Sequence, residues 1–415
     1  MQVTKVLLKI LGMKCVRVRG CEFEDAGLVI DVAPMTRIAR CAGCGCRARR
    51  LYDRREGRRW RHLDLGGMRV ELRYDLRRVD CTRCGVRVEL VPWAESDSKF
   101  TRPFEEQVAY LAQRMDKTGI TGLMGIAWYT VGSIAARVVA RMSPNDHLVG
   151  LRVIGIDELS YRRHHKYVTI ITDHDTGKVV WAREGKNADT LNTFFAELGP
   201  ERCATLRTVT LDMSQAYINS VKANAPQAEI VFDRFHVQRL AHDALDQVRR
   251  ALVAKHTEPE QRHVLKKTRF VLQKNPENLS SAERQKLAEV QANNRPLYRA
   301  YLLKDTLTSI LDRRQYYVAR DELHNWLAWA SRSKLAPFVR VARTIRKHLH
   351  GILAYLNTRL SNGRSEGLNG KVRVITRRSY GLHSANSLIA MLFLCCSLPA
   401  LTPVKVLPNT HPLAC

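Results

Sequence analysis

Apolar and polar positions alternate weakly over residues 1–40, most clearly in Leu28-Val29-Ile30-Asp31-Val32, and predict short strands. Met68-Arg69-Val70-Glu71-Leu72-Arg73-Tyr74 alternates with period two and predicts another. Pro92 and the polar run Glu95 to Lys99 read as a linker. From Pro103, a residue that fits a first helical turn, the period becomes helical, with Phe104, Val108 and Leu111 on one face. A break at Lys117-Thr118-Gly119, a short segment over 121–126 and a helix from Tyr129 to Arg141 form a helix-turn-helix pattern.

From residue 151 the pattern is α/β. Val153 to Ile156 predicts a buried strand ending in Asp157, and Tyr167 to Thr172 a second strand. After the turn Asp173 to Gly177, Lys178 to Ala182 forms a third strand, giving an antiparallel meander. A helix over 189–198, a strand Leu206 to Leu211 ending in Asp212, and a helix over 214–222 follow. Then come a strand Glu229 to Phe232 and a long helix from Arg234. Residues 252–360 are helical with charged faces and give no strand signal; Trp326 and Trp329, three apart, are expected in the core there. A last helix runs from near Arg364 to about Thr376.

The 415 residues allow two to four domains, and 45% hydrophobic with 26% charged residues is a globular composition. Lys and Arg exceed Asp and Glu by 28, and the pI near 10.0 points to a polyanionic partner, nucleic acid before an anionic membrane. The longest apolar run, Leu388 to Ala400, is too short to span a bilayer and contains Pro399. Lys9 splits the apolar run Val6 to Leu11, so no signal peptide is read, and the expected compartment is the reducing cytoplasm, at the nucleoid.

Five of the eleven cysteines are clustered. Cys41-x-x-Cys44 and Cys81-x-x-Cys84 are two knuckles 36 residues apart, and four thiolates satisfy one tetrahedral Zn²⁺. Cys46 stands as an alternative to Cys44. The twelve arginines between 41 and 80 are expected to lower the thiol pKa values. Asp157 shares a strand face with Val153 and Gly155, and Asp212 with Thr208 and Thr210. Strand, hairpin, strand, helix, strand is the order in which ribonuclease-H-like folds set their first two carboxylates on neighbouring strands. On the last helix, Glu366, Asn369, Gly370, Arg373 and Arg377 share one face and Leu368, Val372 and Ile375 the other. An apolar stripe there can dock on the sheet while Glu366 faces the aspartates and Arg373 and Arg377 suit phosphates.

The chain resembles bacterial insertion-sequence transposases of the DDE type, in the ISL-three group. The residues that carry the resemblance are Ile154-Gly155-Ile156-Asp157-Glu158, Asp212-Met213-Ser214-Gln215-Ala216-Tyr217, Phe232-Asp233-Arg234-Phe235-His236-Val237, Asn362-x-x-x-Glu366-Gly367-x-Asn369-x-Lys371 and Arg378-x-Tyr380-Gly381-Leu382. The resemblance implies a catalytic triad of Asp157, Asp212 and Glu366 holding two Mg²⁺ (or Mn²⁺). It places a zinc-binding domain at 1–95, a helix-turn-helix at 96–147 and a ribonuclease-H-like α/β domain at 148–251 and 361–415, interrupted by an all-helical insertion at 252–360. Asp233 and His236 are expected either to support the active site or to be a helix cap and a satisfied polar residue.

The expected partner is double-stranded DNA: terminal inverted repeats read by Tyr129, Thr130, Ser133 and Arg137, and target DNA. Arg340 and Arg343, with Arg346 and Lys347, form a stripe suited to phosphates. A homodimer or larger assembly on DNA is expected, with no membrane. Two rivals share parts of this pattern: a zinc and helix-turn-helix transcriptional regulator, and a ribonuclease-H-like nuclease without strand transfer.

Overall fold

The computed structural model describes residues 3–404 apart from 49, 144–146, 163–165, 256–264, 361–362 and 379–383. The chain divides into two compact units, Met1–Pro144 with Val374–Cys415, and Asn145–Arg373.

The first unit opens with helix α1 (Val3–Leu11), whose Leu7 and Leu11 are buried one turn apart. A sheet follows, made of β1 (Val16–Glu24), β2 (Gly27–Pro34), β3 (Arg50–Leu65), β4 (Met68–Cys81) and β5 (Gly85–Val88). Its order is β1-β2-β4-β3, with β5 added to β4. Residues 3–11 are thus a helix where alternation predicts a strand, because the i, i+4 leucines give a short amphipathic face that packs on β1. The stretch expected as a linker is packed instead. Trp93 is 1% exposed and meets Trp60 and Tyr74 edge to face at 5.6 and 5.5 Å.

Three helices complete the N-terminal part: α2 (Arg102–Ala112), α3 (Lys117–Met124) and α4 (Trp128–Met142). Thr101 caps α2, and Asp116 caps α3 by accepting from the Gly119 N–H at 2.8 Å. That cap moves the break of the helix-turn-helix from the expected Lys117-Thr118-Gly119 to the residues before Lys117. Gly125, at φ +60, ends α3 in the left-handed region and turns the chain into α4.

Glu105, fully buried, joins α2 to α4. It accepts from Arg137 Nε at 2.6 Å, Arg141 Nη1 at 3.2 Å and Ser98 Oγ at 2.7 Å. Glu105→Ala would strip Arg137 of its carboxylate, while Arg141 would keep Glu106 and Glu95 at 3.2 and 3.5 Å, and a broken buried pair costs about 3–5 kcal/mol. Chemical denaturation followed in the first unit should show a loss of that size, and a loss under about 1 kcal/mol, the scale of a surface pair, would contradict it.

The second unit holds a mixed sheet of β6 (Val153–Arg162), β7 (Lys166–Asp173), β8 (Val179–Glu184), β9 (Thr208–Leu211) and β10 (Glu229–Phe232), in the order β10-β9-β6-β7-β8. β6, β7 and β8 pair antiparallel, whereas β6, β9 and β10 run parallel. Parallel neighbours need crossovers, here α5 (Ala188–Leu198) with α6 (Pro200–Cys203), then α7 (Gln215–Asn224). Helix α8 (Arg234–Lys255) leaves β10.

Helices α9 (Arg269–Gln273), α10 (Ser281–Asn293), α11 (Arg295–Asp312), α12 (Tyr316–Arg332), α13 (Ala336–Lys347) and α14 (Leu349–Thr358) follow, with α11 and α13 packed on α8. Trp326 is buried, as expected, and donates to the Leu303 carbonyl at 2.8 Å; Trp329 packs against the same core. Helix α14 lies so close to β10 that a Cβ on Gly351 would come within 2.5 Å of the Phe232 ring.

The last helices are α15 (Gly363–Arg378) and α16 (Ala385–Cys396). Sequence reading groups 361–415 with the α/β domain. Helix α16 packs on α4, and a Cβ on Gly132 would meet Ser387 Oγ at 3.3 Å. Gln113 Nε2 of the same unit donates to the carbonyls of Leu394 and Pro399. Among the described residues no single helix is long and apolar enough to cross a membrane.

Candidate zinc, DNA-reading and carboxylate sites

The two cysteine knuckles meet at one point. Cys81 and Cys84 sit on the β4–β5 turn, where Cys81 pairs with Gly85. The first knuckle docks on the end of this hairpin through Ala42 N–H to Val88 O at 3.0 Å and Leu90 N–H to Arg40 O at 2.7 Å. Each knuckle is followed by a glycine at positive φ, Gly45 at +70 and Gly85 at +66, which lets the chain turn back beneath its sulfurs.

The sulfurs of Cys41, Cys44, Cys81 and Cys84 lie within 4.8 Å of one another, with Cys44 and Cys81 at 3.5 Å. Zn–S bonds of about 2.3 Å in a tetrahedron give S···S edges of roughly 3.8 Å, so this donor set fits a structural zinc ion. Among the described residues Cys46 lies outside the cluster, and its carbonyl accepts from the Cys41 N–H at 2.9 Å.

The thiolate chemistry has a local cause. Backbone N–H groups of Arg83 and Cys84 aimed at Cys81 draw its thiol down to about 7. Neighbouring backbone, not the arginine-rich flank, does this. Hydrogen bonding with Cys44, then burial, pushes Cys84 up to about 12. A thiolate beside thiols resists further ionisation, and a divalent cation removes that resistance.

On α4, Tyr129 is 76% exposed and Ser133 is exposed beside it, with Thr130 half-buried. Val131, Ile134, Ala135 and Val138 face the core. Arg137 does not join the exposed face, because Glu105 holds it. On α13, Arg340, Arg343, Arg346 and Lys347 are all exposed opposite buried Phe338, Val341, Ala342 and Ile345, so the expected basic stripe forms.

In the second unit, β6 and β9 pair with Gly155 opposite Thr210. The pairing stops there, and Asp157 and Asp212 each lie two residues beyond it along their own chain. β10 continues the row: Phe232 pairs with Leu211, which sets Asp233 beside Asp212. β6 itself does not end at Asp157. Its antiparallel pairing with β7 carries it to Arg162, and only the parallel pairing with β9 stops near Gly155.

Asp157 Oδ1 accepts from the Glu158 N–H at 2.8 Å, and Asp212 Oδ1 from the Ser214 N–H at 2.9 Å. Asp233 accepts weakly from the Phe235 N–H at 3.5 Å at the start of α8, and His236 Nε2 lies 3.9 Å from its carboxylate. Val372 and Ile375 on α15 are buried, and Arg373 and Arg377 are exposed. The side chain of Glu366, and those of Leu368 and Asn369, lie outside the described residues, as do Asn362, Tyr380, Gly381 and Leu382.

Glu158 is a neighbour that sequence reasoning missed. Burial, then the charge of Asp212, raise its pKa, with Asp157 adding to the effect, while Tyr217 and Lys186 oppose it. Tyr217 is itself pinned by Thr169 Oγ1 at 2.8 Å. Lys186 Nζ stands 3.9 Å over the Tyr167 ring. The signal for Glu158 and Tyr217 was their place inside the two aspartate motifs; the loop lysine carried none.

A cysteine-clustered domain, a helix-turn-helix and an α/β domain in this order are the parts of a multidomain DNA-binding protein. Family profiles match in the same order. A zinc-finger of transposases IS204, IS1001, IS1096 and IS1165 matches 37–84, and a helix-turn-helix domain of the transposase family ISL3 matches 89–139. A transposase domain of that family matches 154–392. The transposase for insertion sequence element IS1557 of Mycobacterium tuberculosis is 38% identical over 408 residues, covering 91% of each chain. The transposase for IS1001 of Bordetella parapertussis is 30% identical over 365 residues, covering 86% of this chain and 89% of its own. The chain belongs to the ISL3 family of insertion-sequence transposases.

Proposed function

We propose that this transposase binds the terminal inverted repeats of an insertion sequence and cuts and joins DNA with a DDE carboxylate set of Asp157, Asp212 and Glu366. The observation that supports the reading is the parallel pairing of β6 and β9, which ends at Gly155 and Thr210, two residues before Asp157 and Asp212 on the respective chains. The strand order, with a parallel trio β10-β9-β6 on one side and the antiparallel meander β6-β7-β8 on the other, supports a ribonuclease-H-like domain, with the helices after α8 as its insertion. Sheet domains of this kind place their chemistry at the carboxyl ends of strands.

The donor set suits hard cations, since carboxylate oxygens are the ligands Mg²⁺ takes while keeping several waters. Two Mg²⁺ (or Mn²⁺) bound there would neutralise phosphate charge and lower the pKa of an attacking water or 3′-hydroxyl. The protein's part is to fix the carboxylates. Asp157 and Asp212 are braced by backbone N–H groups, and Asp233 with His236 supports the same strand-end row. Arg373 and Arg377 would hold DNA phosphates. A transcriptional regulator has no use for such a row, and a nuclease would stop at cleavage.

DNA ends have to be brought together for joining, so a homodimer or larger assembly forms on DNA, in the cytoplasm at the nucleoid. The helix-turn-helix reads bases through Tyr129, Thr130 and Ser133 on α4, and α13 holds phosphates through Arg340 and Arg343. Alanine at Tyr129 or Ser133 should relax preference for the ends, by about 1–3 kcal/mol per lost base contact. The Arg340→Ala/Arg343→Ala pair should weaken all duplexes alike and flatten the salt dependence. Binding titrations with end-bearing and random duplexes separate the two. Retained discrimination at Tyr129 and Ser133, or an unchanged salt slope for the arginine pair, would contradict the assignment. Cleavage assays on Asp157→Asn and Asp212→Asn test the carboxylate set.

A further inference from the structure

The solvent face of the N-terminal sheet carries a feature that none of these sites uses. A concavity of ≈ 460 Å³ opens there, lined by Arg19 of β1, Asp31 of β2, Arg54 of β3, and Arg73, Asp75 and Arg77 of β4. Of its two carboxylates Asp31 is paired with an arginine, and Asp75 is held by a backbone N–H and keeps its charge. Arg73 donates to Asp31 at 2.7 and 2.9 Å and to Glu22, and Arg77 is held by buried Glu89. Asp75 Oδ1 accepts from the Gly57 N–H at 2.9 Å. Among the described residues no carboxylate pairs with Arg19 or Arg54.

The strand register adds a second observation. Arg54 lies directly across from Arg77 in the β3–β4 pair. Glu89 neutralises Arg77, so Arg54 stands in the same cross-strand pair as the one guanidinium of the two without a carboxylate partner. Four arginines against two carboxylates leave the lining positive, and the guanidiniums of Arg19 and Arg54 can hold tetrahedral oxyanions in bidentate fashion. The excess of 28 positive charges draws polyanions to the whole chain.

We propose that this concavity seats backbone phosphates of duplex DNA, with Arg19 and Arg54 as the contacting residues. The proposal rests on the reading of the chain as a DNA-binding transposase and adds a contact on the sheet of the zinc-bearing unit, separate from α4. Phosphate contacts fix position without reading bases. The contact therefore strengthens binding to every duplex equally.

The test uses the full chain with an end-bearing and a random duplex between about 50 and 200 mM salt. For Arg19→Ala/Arg54→Ala, the slope of log K against log salt should be shallower by about 1.8, two contacts at ~0.9 each. Affinity for both duplexes should fall by the same factor, and zinc content should stay at the wild-type value. Arg19→Lys/Arg54→Lys should keep the slope. A second measurement needs no variant: phenylglyoxal modification of the wild type, read by mass spectrometry, should show Arg19 and Arg54 protected by duplex DNA and unprotected by inorganic phosphate at equal phosphate concentration.

An unchanged slope in the alanine pair, a loss confined to the end-bearing duplex, or equal modification with and without DNA overturns the proposal. Protection by inorganic phosphate alone overturns it too, in favour of a small-anion site. Cleavage is read in neither measurement, so failure here leaves Asp157 and Asp212 standing. Cleavage by Asp157→Asn would remove that assignment and leave this one.

Discussion

Asp157→Asn and Asp212→Asn should each lower strand cleavage by about 10³-fold or more while binding of end-bearing DNA stays within a few-fold of wild type. Metal clamping of a phosphoryl transfer is worth several kcal/mol of charge stabilisation, and each 1.36 kcal/mol is about tenfold in rate. The change removes one carboxylate oxygen and one charge without altering side-chain size. The amide introduced by Asp157→Asn keeps an oxygen that can accept from the Glu158 N–H, so β6 should hold its register. DNA reading lies on α4 in the other unit, so binding is the internal control. Glu366→Gln should behave in the same way. Cleavage within tenfold of wild type by any of the three would remove that residue from the set.

Removing zinc should have an effect of the same order on folding. Structural Zn²⁺ contributes about 10–16 kcal/mol of apparent binding free energy at neutral pH. The small core around the site, Ala39, Cys41, Val79 and Cys81 with Cys44 and Cys84 against it, consists largely of the ligands themselves. Without the ion this part of the unit has little apolar surface to hold it. Cys81→Ser or a strong chelator should therefore release about one zinc per chain, open the β4–β5 hairpin to proteolysis and abolish end binding. Cys46→Ser should leave zinc in place. A zinc-free protein with a protected hairpin and normal binding would contradict the account.

The chemistry was more legible in the sequence than the packing. Two CxxC knuckles and strand-end aspartates are local patterns, and the knuckles converge on one four-sulfur cluster. The arginine-rich strand β3 was not legible. Its half from Arg50 to Gly57 is an exposed edge with no buried face, so no period-two apolar signal exists there. Helix α1 was misread because a short apolar run of Val, Leu and Ile fits either period.

Long-range pairings left no local trace. Arg137 looks like a free base on a recognition helix, and only the fold brings buried Glu105 to it. The packing of α16 on α4, and the gathering of Glu158, Tyr217 and Lys186 around the aspartates, arise the same way.

The most direct measurement is a strand-transfer assay: purified protein, Mg²⁺, a labelled duplex carrying the element's terminal repeats, and a supercoiled target. The account predicts nicks at the repeat ends and labelled end DNA covalently joined to the target, both absent with Asp157→Asn or without divalent metal. Joined product from the Asp157→Asn protein, or cleavage with no joined product from the wild type, would contradict it.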